Sequence, residues 1–383
     1  MASGRIGFYC SSLSWGGLEM NFVKYAGLLM ENNYQIKIYC VEESPIAQKL
    51  KTNNQNATYV ARNNKYYDLI NAYKVYRLMK KDLIKAVWIR DNRDLSLIGL
   101  VKTLSRDNIQ IIYQQGMQIS IKKNDVLHTI RFSKIDAWIT PLNFLNSQLK
   151  INTNFNQEKI FVIPLMVEMQ QNENMVSKNQ AREKFELSKG TFVIGILGRI
   201  SLLKGQLFLI KELAKLRNQN FDIELLIVGE KSINEGPEYL NNLEKSIKRL
   251  NLSQFVKIHP YIEDVEVFYQ SIDLFVMASR GETYGNVTVE AMCHGVPVLG
   301  TKSSGTPELL GFGEYGYLYR ADDENDFEQN VKWILGNYEN AKEKALKAQK
   351  FAFKNYNKKI IFDQIERVLS VLNLVKYKLI TKT

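Results

Sequence analysis

Short apolar runs alternate along the chain with stretches whose apolar residues recur every three or four positions. The first pattern is that of strands buried on both faces, and the second that of amphipathic helices. IGFYCSS (6–12) predicts a strand that opens into a glycine-containing loop. LEMNFVKYAGLLMENN (18–33) predicts a helix, and YQIKIYCV (34–41) the next strand. AVWIRD (86–91), IQIIYQQ (109–115), AWITP (137–141) and KIFVIP (159–164) continue the strand series, with helices over 69–83 and 124–135 among those between them.

A second series begins after Pro164. The polar, Asn- and Gln-rich stretch from Val167 to Gln180 reads as a connection. Strand patterns then recur over 191–200, 221–230, 255–262, 273–279, 296–301 and near 316–321, with helices over 205–219 and 238–251. Strands alternating with helices build α/β layers around parallel sheets. The expectation is two doubly wound units, 1–168 and 169–350, with a ligand cleft between them at the carboxyl ends of their strands. The remaining segment, 351–383, has a Lys-rich helical pattern whose Phe351, Phe353, Ile360, Ile361 and Phe362 would pack it back on the N-terminal unit.

Composition agrees with two cores. The 383 residues exceed the usual single domain of roughly 100–200. The apolar fraction of 45% and charged fraction of 24% match a folded protein and exclude a disordered chain. Cys10, Cys40 and Cys293 have no metal-site spacing and fit a reducing compartment. His128, His259 and His294 are too scattered to suggest a metal cluster. No signal-peptide pattern opens the chain, and no apolar run reaches the ~20 residues that span a bilayer. A cytoplasmic protein is expected.

The charge is uneven. Residues 1–165 carry 22 Lys and Arg against 12 Asp and Glu, residues 166–335 carry 18 against 24, and residues 336–383 carry 11 against 4. Basic ends suit an anionic membrane surface or acceptor, and also simple solubility. A peripheral position on the inner face of the cell membrane follows from the first option. Nucleic acid is not indicated, because no recognition motif accompanies the charge.

The densest chemical signal is SRGETYGNVTVEAMCHGVPVLGTKSSGTPELL (279–310). Glu282 and Glu290 flank Gly285 and Asn286, where a strand gives way to a helix. A helix start offers free N–H groups to a phosphate, and two carboxylates there can accept from sugar or ribose hydroxyls. Spacing alone fits an ordinary βα turn equally well. GRISLLKG (198–205) places Arg199 and Lys204 after another strand, where two cations could neutralise a diphosphate or merely flank a helix. SSLSWGGLE (11–19) carries Gly16 and Gly17, which permit close backbone approach to a ligand or form a tight turn.

These segments together resemble retaining glycosyltransferases of family 4, which have the GT-B fold of two Rossmann-like domains. The family pattern Ser-x-x-Glu-x-(Phe/Tyr)-Gly, Glu-Ala-Met and Gly-x-Pro-Val is matched by Ser279, Glu282, Tyr284, Gly285, Glu290, Ala291, Met292, Gly295, Pro297 and Val298. The resemblance implies that Glu290 holds the nucleotide ribose and Glu282 contacts the donor sugar. The backbone around Asn286 and Val287 would meet the diphosphate. Arg199 and Lys204 would bind that diphosphate in place of a divalent metal, so no cofactor is expected. Gly16, Gly17 and Glu19 match the family's Gly-Gly-x-Glu loop, which faces the donor. Tyr261 and Ile262, in HPYIEDVEVFYQSID (259–273), would border the base.

The match thins on the acceptor side. Where many relatives carry a histidine, this chain has Gln114 and Gln115. Gln115 and His128 stand as acceptor-side residues, with a structural role for His128 left open. The function implied is transfer of a hexose-type sugar from a UDP-sugar, or a GDP-sugar, to a glycan or lipid-linked acceptor in cell-surface polysaccharide or lipopolysaccharide synthesis. A GT-B nucleotide-sugar epimerase or phosphorylase, and a non-catalytic sugar-nucleotide-binding scaffold, are the competing readings.

Overall fold

The computed structural model describes residues 5–64, 68–167, 176–230 and 238–374. The chain divides into two compact units. One is formed by Met1–Met166 with Lys358–Thr383, the other by Val167–Asn357.

In the first unit, β1 (Arg5–Cys10) leads to α1 (Gly17–Glu31), β2 (Ile36–Cys40), α2 (Pro45–Thr52) and β3 (Ala57–Tyr59). The chain then forms α3 (Leu69–Lys81), β4 (Ile84–Ile89), α4 (Asp94–Leu104) and β5 (Gln110–Gln114). It continues through α5 (Val126–Ser133), β6 (Ala137–Thr140), α6 (Asn143–Asn152) and β7 (Ile160–Val162). The seven strands pair in parallel in the order β3-β2-β1-β4-β5-β6-β7. Most strand runs read in the sequence are shorter as folded, β4 keeps its six residues but starts two positions earlier, and β3, only three residues long, lies outside them. Ile111, Tyr113 and Trp138 from the sheet share a core with Val75, Ile98 and Phe132 from the helices.

In the second unit, α7 (Lys178–Lys184) precedes β8 (Phe192–Leu197), α8 (Gln206–Asn218), β9 (Ile223–Val228) and α9 (Glu238–Arg249). Next come β10 (Val256–His259), α10 (Val265–Ser271), β11 (Leu274–Met277), α11 (Asn286–Cys293) and β12 (Val298–Thr301). The unit closes with α12 (Thr306–Leu309), β13 (Tyr317–Tyr319), α13 (Glu324–Gly336) and α14 (Tyr338–Asn355). Its strands are parallel in the order β10-β9-β8-β11-β12-β13. Strands such as IELLIV in β9 are buried throughout, because helices cover both faces.

The expected connection at 167–180 falls largely on residues 168–175, outside the described residues. Its end is helical. Ser177 accepts from the Gln180 amide while the Gln180 side chain accepts from the Ser177 amide, a reciprocal cap that starts α7. Buried Arg182 then ties α7 to the sheet through Asp273 at 2.6 Å and the carbonyls of Ser271, Ser188 and Lys189.

The chain returns to the first unit at Lys358, within the segment read as a tail. Phe351 stacks on Tyr315 in the second unit, ring centroids 4.2 Å apart. Ile361 and Phe362 of α15 (Lys358–Val371) are buried in the first unit, where Phe362 meets Tyr34 edge-on. The end of the segment, 375–383, lies outside the described residues.

Both sheets reverse their strand order at one point, between β1 and β4 in the first and between β8 and β11 in the second. Loops leaving the carboxyl ends of such strands are splayed apart, which is where doubly wound sheets bind ligands. The loops rich in candidate residues leave β1, β8 and β11.

Candidate functional site

Two loops of the second unit interlock. After β8 the chain runs through Arg199 and Lys204 to Gly205, whose φ of +81° starts α8. A Cβ on Gly205 would lie 2.5 Å from the Ala278 carbonyl oxygen, so only glycine lets this loop rest on the one after β11. The Arg280 amide donates to the Leu203 carbonyl at 3.1 Å, and the Lys204 ammonium meets Glu282 Oε2 at 2.5 Å. One cation and one carboxylate from loops 78 positions apart are thereby brought together. Arg199 is exposed and makes no ion pair among the described residues; the Gln206 side chain holds its carbonyl at 2.9 Å.

The loop after β11 ends at Gly285, with φ +86°, the N-cap of α11. The N-cap glycine has no side chain to cap this helix, whose first turn carries the Val287 N–H. The hydroxyls of Ser279 in the loop, Thr288 in α11 and Thr306 at the start of α12 are buried without a hydrogen-bond partner among the described residues. Unspent donors at a helix start favour an anion. A Cβ on Gly285 would stand 3.2 Å from Glu282 Cγ, so the glycine also admits Glu282 to the helix start. Tyr284 is buried beneath the same loop.

Glu290 sits one turn further along α11. The buried Tyr269 hydroxyl, on α10, is shared between Glu290 Oε2 at 3.1 Å and the Val287 carbonyl at 3.0 Å. Burial first, then the Glu290 charge, pushes the Tyr269 phenol well up, so it stays a donor. His294 stacks on Tyr269 with centroids 4.7 Å apart and its Nδ1 lies 2.8 Å from the Glu290 carbonyl. Tyr269 is a positioning residue that the motif reading does not contain.

Tyr261 and Ile262 follow β10. Partial burial, then Glu263, Glu290 and Glu230, raises the exposed Tyr261 phenol above its usual range. Beside them an open concavity of about 480 Å³ is lined by Ile200, Gly229, Glu230, His259 and Pro260, among others. His259 packs edge-on against Phe185 at 5.1 Å, consistent with a structural role.

In the first unit, Gly16 is the N-cap of α1, again without a side-chain cap. Glu19, in the first turn, accepts from the Ser12 hydroxyl at 2.6 Å. Behind it the Asp94 carboxylate accepts from the Ser11 hydroxyl at 2.5 Å and the Ser11 amide at 3.2 Å. Arg90, at the end of β4, is buried under the face of Tyr25, and its Nε and Nη1 have no partner among the described residues. Neither Asp94 nor Arg90 carries a motif, and only their position after β4 marks them.

Gln115 is fully buried. Its Oε1 accepts from the Trp138 indole at 3.1 Å and its Nε2 donates to the Met117 carbonyl at 2.9 Å. Gln114 likewise accepts from Trp88 at 3.1 Å. Each end of the Gln115 amide thus has one partner within the fold. His128 lies half-buried on α5 with Nδ1 2.6 Å from Asp125, its own helix cap. Among the described residues, no three His, Cys, Asp or Glu side chains gather as metal ligands, and no helix is long and apolar enough to cross a membrane.

Residues 191–337 match the family model described as "Glycosyl transferases group 1". Residues 191–337 are thus similar to the glycosyl transferases group 1 domain. The matched stretch includes Arg199, Lys204, Tyr261, Ile262 and all residues from Glu282 to Glu290. Among curated relatives, trehalose synthase of Pyrococcus horikoshii is 26% identical over 232 residues, 58% of this chain and 54% of the relative. The capsular polysaccharide biosynthesis glycosyltransferase CapM of Staphylococcus aureus is 26% identical over 196 residues, 50% of this chain and 49% of the relative. The chain thus spans about half the length of these two relatives.

The likeness to solved structures extends over both units. A glycosyltransferase from Rickettsia africae ESF-5 superposes with a TM-score of 0.85 at 19% identity, covering 98% of this chain and 100% of that one. Anabaena Alr3699/HepE in complex with UDP-glucose gives 0.82 at 19% identity, covering 96% and 99%. The chain therefore has the GT-B fold, as the sequence resemblance implied.

Proposed function

We propose that this chain is a retaining, metal-independent glycosyltransferase that moves a hexose-type sugar from a nucleotide diphosphate sugar to a glycan or lipid-linked acceptor. The observation that carries this reading is the contact of Lys204 with Glu282 beside the uncapped start of α11. A cation, a helix start and unspent hydroxyls suit a diphosphate, and the carboxylates of Glu282 and Glu290 suit sugar and ribose hydroxyls. UDP is favoured as the carrier, because the Anabaena neighbour holds UDP-glucose. CapM, by its name, points to cell-surface polysaccharide.

The chemistry assigned to these residues is electrostatic. As the bond from the anomeric carbon to the phosphate oxygen breaks, negative charge grows on the departing diphosphate. Lys204, Arg199 and the N–H groups of Asn286 and Val287 stabilise it. The acceptor hydroxyl bonds to the anomeric carbon from the same face, and its proton passes to the departing phosphate oxygen. No side chain need form a covalent intermediate, so positioning and charge stabilisation carry the rate. In the first unit, the uncapped Gly16–Gly17 turn offers N–H groups to a sugar or phosphate. The cytoplasmic, inner-membrane-face setting is proposed with this acceptor class.

The test is release of UDP or GDP from a panel of nucleotide sugars, with and without glycan and polyprenyl-linked acceptors. Acceptor-dependent release with retention at the anomeric carbon supports the reading, and full activity in EDTA supports metal independence. Nucleotide-sugar binding without turnover on any acceptor would leave the scaffold reading instead.

A further inference from the structure

The helix α5 is poorly buried for its composition. Of its eight residues only Phe132 is buried, while Val126, Leu127 and Ile130 are 73%, 66% and 58% exposed. The preceding loop adds Met117 and Ile121, both exposed. The element is nonetheless held in place. Asp125 caps it, Arg131 reaches the Asn92 carbonyl, and Phe132 packs edge-on against Trp138 at 5.3 Å. The aliphatic surface is therefore presented on a fixed helix.

Val126, Leu127 and Ile130 share one side of α5 by their spacing, and exposed apolar side chains grouped in this way mark contact surfaces more often than scattered ones do. Their setting is basic: Lys122 is exposed and adjoins Ile121, and no acidic residue occurs from Asn108 to Asn124. The one acid at the helix start, Asp125, is paired with His128. Apolar side chains beside lysines suit the boundary of an anionic lipid surface, where the charges meet headgroup phosphates and the side chains reach the acyl region.

We infer that α5 and the loop from Met117 to Lys123 dock the first unit on an anionic bilayer surface, with Val126, Leu127 and Ile130 entering the headgroup–acyl boundary. Lys122 and Lys123 meet the lipid phosphates. The inference deepens the proposed membrane-face setting by giving it a surface, and its readout needs no turnover.

The full chain is floated with vesicles of 30% phosphatidylglycerol in phosphatidylcholine and with pure phosphatidylcholine vesicles, about 0.1 M salt being low enough to retain charge attraction. Wild type should float with the anionic vesicles alone. The double variant Leu127→Glu/Ile130→Glu should lose about tenfold or more in partitioning, and Lys122→Ala/Lys123→Ala should lose several-fold together with most of the salt dependence. All replaced side chains but Lys123 are exposed, and melting temperatures within about 2 °C of wild type would verify an intact fold. Equal flotation of the Glu variant, or no flotation of wild type, overturns the inference. So does a vesicle-free dimer at micromolar concentration that the Glu variant dissolves, because the patch would then join two copies of the chain. Acceptor-dependent nucleotide release by a chain that does not float would defeat this inference and leave the proposed function standing.

Discussion

The Tyr269 hydroxyl reaches Glu290 Oε2 at 3.1 Å across two helices, from inside the core. In the proposed donor site Glu290 turns toward a ribose from a position that the Tyr269 hydroxyl and the His294 stack help to define. Tyr269→Phe keeps the ring on His294 and removes one hydrogen bond to a charged group, worth about 1.5–3 kcal/mol. The donor KM should therefore rise by about tenfold or more, with kcat changed less, since a ribose contact is made equally in ground and transition states. Steady-state kinetics with saturating acceptor measure the split. An unchanged KM would mean that Glu290 needs no such support.

Lys204→Ala removes a cation from the start of α11 and leaves Glu282 without its ion-pair partner. If that cation meets the departing diphosphate, kcat should fall by about 10²–10³. The pair is partly solvated, so stability should change by about 1 kcal/mol or less. Single-turnover rates and a thermal melt separate the two effects. Near-normal turnover in a folded Lys204→Ala protein would remove the phosphate assignment.

Much of this site was legible in the chain because its chemistry is local. Glu282, Gly285 and Glu290 sit on one strand–turn–helix segment, where spacing and composition point to a helix start. The conformations of Gly205 and Gly285 also answer to the sequence, since both occupy left-handed backbone that disfavours a side chain. Tyr269 could not be read in this way. It lies 21 positions from Glu290 on a helix that looks like plain core, and only the fold turns it to the carboxylate. Gln115 is the converse case. The family resemblance marks it as standing where relatives carry a histidine, and that pattern gives no sign of the hydrogen bonds it makes to the Trp138 indole and the Met117 carbonyl. Helix α4 escaped the pattern because it is buried along nearly all its length and shows no polar face. β3 escaped because three residues carry no measurable alternation.

Arg182 tests the architecture rather than the chemistry. Its guanidinium is buried with Asp273 and also satisfies three carbonyls, while the same carboxylate accepts from the Val193 amide at 2.7 Å. Arg182→Ala leaves Asp273 with Lys178, which is half exposed, so the loss should sit near the low end for a broken buried pair, about 3 kcal/mol. Urea unfolding should show a lower midpoint at an unchanged slope. A loss below about 1 kcal/mol would mean that Lys178 alone compensates the carboxylate.

Asp94 should make stability depend on pH. Its carboxyl is pushed up to about 7, chiefly by burial and further by Asp91, against the opposing effects of the Ser11 hydroxyl and amide and of Arg93. The unfolded chain would titrate it near the ordinary value of about 3.9. Between these values the native state holds the proton more tightly than the unfolded state does. Stability from this group is thus fully present below about pH 4 and is lost as pH rises through 7. The slope cannot exceed about 1.4 kcal/mol per pH unit for a single proton. Asp94→Asn keeps an oxygen for the Ser11 amide and removes the titration. The melting temperature of wild type minus that of Asp94→Asn should therefore fall between pH 4 and 8 and flatten above it. A difference independent of pH over that range would place the Asp94 proton elsewhere, with the carboxylate already charged against Ser11 at pH 4.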